Sequence, residues 1–243
     1  MVTATKSICT FPDHDAITTV KHAKQHAHTL SDPSKMPGYS YGTPAEACNV
    51  GSKLRTVKGS VCEGCYAFEG FYKLYGKTIK PAQYQRLDLA LNDPHWVDAM
   101  TFLINKYCYG LELPFRWHDS GDIQSIEHLE KIVQVCRNTP DVMHWLPTRE
   151  YKIVKDWLKI NGAFPDNLVV RISAHMIDKP APNIGGLPIG LALNDPHYIG
   201  GLPTSTVVTD GAQSCPASKQ DNKCLDCRMC WNPLVKNVSY GKH

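Results

Sequence analysis

Apolar and polar residues alternate in a regular way through the second half of the chain. Short apolar runs of the kind that form strands lie at 113–117, 142–146, 168–173 and 206–209. Between the first two runs, Ile126, Leu129 and Ile132 recur at helical spacing and predict a helix over 125–137, and a second helix passes through Trp157 and Leu158. Strands separated by helices in this way are joined as parallel neighbours through crossover connections.

The first half of the chain predicts helices and one long ordered loop. Residues 36–65 are rich in Gly, Pro, Ser and Thr, which favours a loop with many turns. Pro81 and Pro94 at first-turn positions predict helices over 81–91 and 94–107, and further helices are predicted over 21–30 and 66–75. We therefore expect an α/β fold, a partial (β/α) barrel of parallel strands. Residues 1–34 form an N-terminal extension and 35–243 a single domain, which includes a cysteine-rich tail at 213–232.

Polar residues collect where the predicted strands end. Each by itself is explained equally well as a helix cap or a turn residue. Parallel α/β sheets, however, bind ligands at the carboxyl ends of their strands. The residues placed there are His118, Asp119, Ser120, Asp122, Thr148, Arg149, Glu150, Arg171, Ser173 and His175.

Composition describes an ordinary globular protein. Of its 243 residues 42% are hydrophobic and 20% charged, and the net charge of +3 comes without a Lys/Arg cluster that would indicate nucleic-acid binding. The first residues lack the apolar core of a signal peptide, and no apolar run is long enough to span a membrane. We expect a cytoplasmic protein that does not associate with membranes. In that reducing compartment its ten cysteines favour metal or cluster binding over disulfides.

The cysteines fall into two groups that have the spacing of metal ligands. We call Cys215, Cys224, Cys227 and Cys230 the tail group and Cys48, Cys62 and Cys65 the loop group. Two residues between cysteines let a turn direct both sulfurs at one centre. The consecutive CxxCxxC of the tail favours an iron–sulfur cluster, and structural zinc is the alternative. The sequence leaves open whether the groups form two clusters or share one. Cys108 and Cys136 have no neighbouring ligand and are predicted to be buried structural thiols.

Several of these motifs together resemble a known family. They are Cys48, Cys62-x-x-Cys65-Tyr66-Ala67, the corner 117–122, the strand end 146–149 and the tail Cys215 to Trp231. In this respect the chain is similar to the gene-product-88 family of bacteriophage proteins over most of residues 35–232. More distantly, the order of parts resembles the radical S-adenosylmethionine (SAM) enzymes, which carry a [4Fe-4S] cluster on three loop cysteines of a partial barrel. The usual CxxxCxxC is absent here, and Asp122 replaces the Glu of the family's SAM-binding turn.

This resemblance implies a function and a location. The protein would be a phage iron–sulfur protein in the cytoplasm of an infected cell, with one or two [4Fe-4S] clusters. It would be either a SAM-dependent radical enzyme or a descendant that kept only the cluster. The turn Ser120, Gly121 and Asp122 would bind SAM, with Asp122 accepting a hydrogen bond from its ammonium group. Arg149, Arg171 and His175 would orient the carboxylates or phosphates of an unknown small or macromolecular substrate.

Two other functions compete with this one. The first is a zinc-stabilised module that binds nucleic acid or a host protein, in which basic residues near the tail would contact phosphate. The second is a hydrolase or lyase in which His118, Asp119, Asp122 and His175 serve as acid, base or metal ligands. Metal analysis separates the first of these from an iron–sulfur protein.

Overall fold

A single six-stranded sheet organises the computed structural model, which describes residues 16–69, 72, 74–185, 201–210 and 213–242. The strands are β1 (Tyr39–Tyr41), β2 (Phe115–Trp117), β3 (His144–Thr148), β4 (Leu168–Ser173), β5 (Thr204–Val208) and β6 (Asn237–Gly241). They lie side by side in chain order, and every neighbouring pair is parallel. Parallel strands in sequential order within an open sheet have the winding of a partial barrel, so the predicted fold class is confirmed.

The helices of the described ranges lie mainly between successive strands. They are α1 (Val20–Ala27), α2 (Asn49–Leu54), α3 (Gly76–Asn92), α4 (Trp96–Tyr107), α5 (Ile126–Asn138) and α6 (Tyr151–Asn161). The prediction that Pro81 begins a helix was wrong, because α3 begins five residues earlier and contains Pro81 in its interior. Of the helix predicted over 66–75, the structure gives a 3₁₀ turn at Tyr66–Phe68, while residues 70, 71 and 73 lie outside the described residues.

The two faces of the sheet are covered by different parts of the chain. Side chains alternate between faces along a strand. Phe115 and Trp117 of β2 therefore point into the main core, which the helices complete. The opposite side, here called the tail face, carries Arg116, Trp145 and Arg171. Trp145 packs there in a second apolar cluster with Trp231 from the cysteine-rich tail. The helices thus cover one face and the tail covers the other.

Strands β1 and β6 are the edges of the sheet, and the sequence analysis did not predict them. Strand β1 has three residues, and β6, Asn237–Gly241, carries little apolar pattern. Both are strands because of their partners: Tyr39 pairs with Phe115, and Thr204 pairs with Asn237. Short polar edge strands leave almost no periodic signal, so tertiary pairing defines them.

The N-terminal residues that are described pack on the same core. Helix α1 starts after Thr19, whose side chain accepts a hydrogen bond from the His22 N–H at 3.1 Å. Ala23 and Ala27 are fully buried within the main core. The predicted boundary between residues 1–34 and 35–243 stays a prediction. None of the described helices has the length and apolar character needed to cross a bilayer.

Candidate metal centres

The loop group is assembled at the carboxyl ends of the central strands. Cys48 immediately precedes α2, and the backbone beyond it is tied to the end of β4, where the Val61 N–H donates to the His175 carbonyl at 2.9 Å. The three thiols are neighbours: burial raises the pKa of Cys48, and Asp122, Cys65 and Cys62 raise it further. Burial also raises the pKa of Cys62, which nearby Arg149 opposes.

Gly51 lets two of these thiols approach the backbone of α2 closely. An ideal Cβ built on it would be 3.6 Å from Cys48 Sγ and 3.7 Å from Cys62 Sγ. The same Cβ would be only 3.0 Å from the Cβ of Cys48. The absent side chain therefore leaves a small cradle beside both thiols, which a methyl group would already crowd.

Asp122 is buried and already bonded by its own chain. One carboxylate oxygen accepts from Thr148 Oγ1 at 2.6 Å and from the Ile123 N–H at 2.8 Å, and the other accepts from the Arg149 N–H at 2.9 Å. Burial raises the pKa of Asp122 even though these donors act against the rise. Three bonds leave about one lone-pair site of a carboxylate for a ligand.

Arg149 and His175 lie together beside the loop group. The Nε of Arg149 donates to the Ala174 carbonyl at 3.2 Å, and its terminal nitrogens form no hydrogen bond with the described residues. His175 Nε2 lies 3.2 Å from the Arg149 carbonyl, and its ring stacks on Tyr151 with centroids 4.1 Å apart. Through the Arg149 backbone, Asp122 and His175 belong to one connected group.

Glu150 fixes the start of α2, a role that the sequence analysis did not assign to this strand-end residue. Its Oε1 accepts from the Val50 N–H at 2.8 Å, although the two residues are a hundred positions apart. The side chain is 4% exposed, and burial raises its pKa. An acidic residue at a strand end that binds a helix N-terminus positions the cysteine at that terminus, Cys48.

The predicted SAM-binding turn is tightly packed against the end of β1. Gly121 has φ +84°, and a Cβ there would lie 2.0 Å from Thr43 Oγ1. The Thr43 N–H donates to the Ser120 carbonyl at 2.8 Å, and Ser120 is 4% exposed. These contacts give Ser120 and Gly121 a packing role; whether they also bind SAM stays a prediction.

His118 and Asp119 point into different surroundings. His118 is 3% exposed, and its ring lies 5.5 Å from that of His128. Burial, His128 and Arg116 together hold the pKa of His118 well below its usual value. Asp119 instead accepts from the Tyr72 hydroxyl at 2.9 Å. The four residues of the hydrolase hypothesis are thus not joined in one hydrogen-bonded unit.

The tail group lies over the tail face of the sheet. Backbone bonds hold it there: the Cys224 N–H donates to the Lys35 carbonyl at 2.8 Å and the Cys215 N–H to the Ser239 carbonyl at 2.9 Å. Burial raises the pKa of Cys224, as do Cys215 and Cys227. Cys230 Sγ lies 3.1 Å from the hydroxyl of Tyr240 on β6. Burial raises the pKa of Cys230 to about 11, against the opposing effects of Tyr240, Arg171 and Arg116.

Arg171 holds the tail to the sheet, and this differs from the expected role in orienting substrate. It lies within β4 with no exposed surface, rather than at the strand end. Its terminal nitrogens donate to five backbone carbonyls at 2.9–3.5 Å. These carbonyls belong to Thr204, Met229, Cys230, Asn232 and Val235. Both terminal nitrogens are thus occupied, and only the buried Nε has no partner among the described residues.

Arg116 lies on the tail face, near Tyr66 and Cys230. Its guanidinium carbon is 4.5 Å from the ring centroid of Trp145, and Nη1 donates to the sulfur of Met36 at 3.2 Å. Burial raises the pKa of Tyr66, the neighbour of Cys65, and of Cys230, and Arg116 opposes both rises. The sequence signal was a charged residue between Phe115 and Trp117, in a strand that is otherwise apolar.

The thiols within each group are neighbours, but they are not close enough together to coordinate a single ion. The nine described cysteines are all free of disulfides. In the described part of the chain, no three His, Cys, Asp or Glu side chains converge closely enough to hold one ion. A cubane cluster spreads its thiolates further apart than a single ion does, and soft thiolates are its ligands. The donor chemistry of both groups therefore fits such a cluster, and four thiolates also fit zinc.

Comparison with known proteins identifies one similarity that covers most of the chain. A family model described as Gene product 88 matches residues 13–233, a range that includes both cysteine groups. Neither the curated proteins nor the solved structures contain a match to this chain.

Proposed function

The chain belongs to the gene product 88 family, and from that premise we propose that it is a phage iron–sulfur protein with two separate metal–thiolate centres. One is held by the loop group at the carboxyl ends of the strands, and the other by the tail group on the tail face. The observation that carries this proposal is the assembly of the loop group. Two cysteines on either side of the Gly51 cradle come together with a third at the edge of the sheet where parallel folds bind ligands.

The loop group has three thiols, and a cubane cluster has four irons. Three thiolates would leave one iron open to a small molecule. A reduced cluster with SAM on that iron supplies one-electron chemistry to a substrate. This is the finer part of the proposal, and it rests on the resemblance of the parts to SAM-dependent radical enzymes.

The protein's own residues beside the loop group suit the amino-acid end of such a molecule. Asp122 has about one lone-pair site left for an ammonium group, because three are used by the chain. Arg149 has terminal nitrogens that bond none of the described residues and could pair with a carboxylate. His175 would orient an acidic group of the substrate from its place on Tyr151.

The experiment is anaerobic purification followed by iron, sulfide and zinc analysis. Serine in place of Cys48, Cys62 and Cys65 should remove about half of the iron if each group holds one cluster. Serine in place of Cys224, Cys227 and Cys230 should remove the other half. The matched controls are Cys108→Ala and Cys136→Ala, because both thiols are buried in the main core and away from either group. They should leave the iron content unchanged.

A colourless protein that holds zinc on the tail group and contains no iron would overturn the proposal. It would favour instead the zinc-stabilised module that binds nucleic acid or a host protein, which salt-dependent binding to DNA or RNA would identify. The SAM component has its own test: reductive cleavage of SAM should occur with the wild type and be lost in Asp122→Asn. Iron that remains while SAM is not cleaved would mean a protein that kept only its clusters.

A further inference from the structure

Arg171 is a buried cation for which the described residues provide no anion. It lies between Val170 and Ile172 in the centre of β4 and has no exposed surface. Within the described ranges no carboxylate forms an ion pair with it. Its terminal nitrogens bond carbonyls, but its buried Nε has no hydrogen-bond partner among the described residues. A guanidinium that is buried without an opposing charge costs on the order of several kcal/mol. Its presence at this position therefore requires an explanation.

The tail chain wraps around this guanidinium. Four of its five carbonyl partners come from residues 229–235, and one of them is the carbonyl of Cys230 itself. Neutral carbonyl dipoles solvate the charge but do not cancel it. The anion that completes the pairing would have to lie beside these same residues, which means beside the tail cysteines.

A second arginine approaches the same thiol from β2. Arg116 lies over the ring of Trp145, and its Nε is buried without a hydrogen-bond partner. Tyr240, whose hydroxyl is 3.1 Å from Cys230 Sγ, has both Arg116 and Arg171 as charged neighbours. Two cations therefore flank the last cysteine of the CxxCxxC segment.

We propose that Arg171 and Arg116 are positioning residues that act as built-in counter-cations of a negatively charged metal–thiolate centre held by the tail group. The negative charge of four thiolates exceeds the positive charge of a divalent ion or of a [4Fe-4S] core. The metal-loaded centre is therefore an anion. The inference rests on the proposed function only in that the tail binds a metal. It applies equally to iron and to zinc, because both centres would be anionic.

The test separates charge from packing by comparing Arg171→Lys with Arg171→Gln. Both substitutions lose most of the carbonyl bonds of the guanidinium fork, but only lysine keeps the positive charge. The full chain with Cys48, Cys62 and Cys65 replaced by serine isolates the tail group, and Zn²⁺ competed against a chelator measures its affinity. We expect Arg171→Gln to bind Zn²⁺ about tenfold or more weakly than Arg171→Lys, as loss of a nearby charge in a partly shielded site predicts.

The pair Arg116→Lys and Arg116→Gln gives a second measurement. Arg116 makes fewer bonds than Arg171, so these variants should fold even if those of Arg171 do not. In the iron-loaded protein, the neutral variant of each pair should show a lower midpoint potential than its lysine counterpart, because a nearby cation favours the added electron. If the arginines have only a structural role, the lysine and glutamine variants should lose Zn²⁺ affinity equally and have the same midpoint potential. That result would overturn the inference.

The outcomes also distinguish this inference from the proposed function. Zinc in place of iron would refute the iron–sulfur function, while the affinity comparison would still decide the role of the arginines. If the protein contains iron but the lysine and glutamine variants of each arginine bind Zn²⁺ with equal affinity, only the counter-cation role is refuted. A tail that binds neither metal would overturn both.

Discussion

The space beside Gly51 depends on one missing side chain. By helix propensity alone, α2 would gain from alanine at this position, because glycine is about 1 kcal/mol less favourable than alanine inside a helix. Glycine nonetheless stands where a Cβ would approach two thiols. A position at which local helix stability and available space conflict is typical of a functional site.

Gly51→Ala should therefore separate folding from metal loading. We expect the free energy of unfolding of the metal-free protein to change by less than about 1 kcal/mol, because the gain in helix propensity is offset by the tight contact with the Cβ of Cys48. The iron bound by the loop group should fall severalfold, because the new methyl group occupies the cradle. Gly76→Ala is the matched control, since Gly76 is also helical and a Cβ there meets nothing within 4 Å. Unchanged iron in Gly51→Ala would mean that no bulky group uses this space.

The buried side chain of His144 should make the stability of the protein depend on pH. Its Nε2 lies 2.8 Å from Thr139 Oγ1, whose own hydroxyl donates to the Val135 carbonyl, so Nε2 carries a hydrogen. Burial lowers the pKa of His144 to about 3. In the unfolded chain a histidine titrates near 6.5, so its contribution to stability is complete above that pH.

As the pH falls from about 6.5 towards 3, the unfolded state binds a proton at this residue and the folded state does not. Each pH unit should then cost about 1.4 kcal/mol of stability from this one group. Denaturant unfolding between pH 7 and pH 4 should give a shallower dependence in His144→Gln than in the wild type. Part of the slope should remain, because burial also lowers the pKa of His128, to about 4. Parallel curves for the two proteins would show that His144 does not titrate in this way.

At the scale of elements, the site depends on contacts between segments that are distant in sequence. Helix α2 is only six residues long and could not form reliably by itself. Three elements hold it and the loop after it: Glu150 bonds its first turn, Gln124 accepts from Asn49 at 3.3 Å, and residues after β4 bond Val61. The ends of β2, β3 and β4 therefore each fix a part of the cysteine loop.

Glu150→Ala should loosen this loop more than it destabilises the fold. The partly buried Val50 N–H would lose its acceptor, which costs about 1 kcal/mol. Loading of the loop group should fall, whereas that of the tail group should not. Glu150→Gln keeps an acceptor oxygen and should retain most of the loop-group iron, which makes it the natural comparison. Equal losses from both groups would indicate general destabilisation rather than a role in positioning Cys48.

At the scale of the whole molecule, one sheet supports two cysteine groups at different places. The loop group lies at the strand ends, and the tail group lies on the tail face, where Arg116 is near Cys230. The tail also forms the second apolar cluster with Trp145 and Val238. Because that cluster is small, the tail depends on polar contacts and, under the proposed function, on its metal.

Removal of metal should therefore lower the thermal stability of the protein and expose the tail. A ligand that binds only the folded state stabilises it by mass action, by about 4 kcal/mol at a thousand times its dissociation constant. We expect chelation to lower Tm by several degrees and to make residues 213–232 the first site of limited proteolysis. The variant with serine at all seven positions of the two groups should show no response to chelator. Cleavage elsewhere first, with the tail protected, would contradict this dependence.

Local pattern determined much of the architecture. Apolar runs and helical spacing in the second half gave the four strands and the crossover helices, and hence the parallel α/β class. This worked because a strand buried between two layers must be apolar, whatever its neighbours are. The spacing of Cys224, Cys227 and Cys230, and of Cys62 and Cys65, likewise marked the two cysteine groups, because a turn that brings sulfurs together is a local structure.

Tertiary structure alone decided which distant residues meet. The edge strands β1 and β6 exist through pairing, the opening beside Gly51 depends on Cys62 reaching α2, and the bond from Glu150 to Val50 spans a hundred residues. The role of Arg171 also changed, from a strand-end ligand to the centre of a ring of tail carbonyls. Sequence pattern specifies which face of an element is buried, but the partner on that face is chosen by the packing of the whole chain.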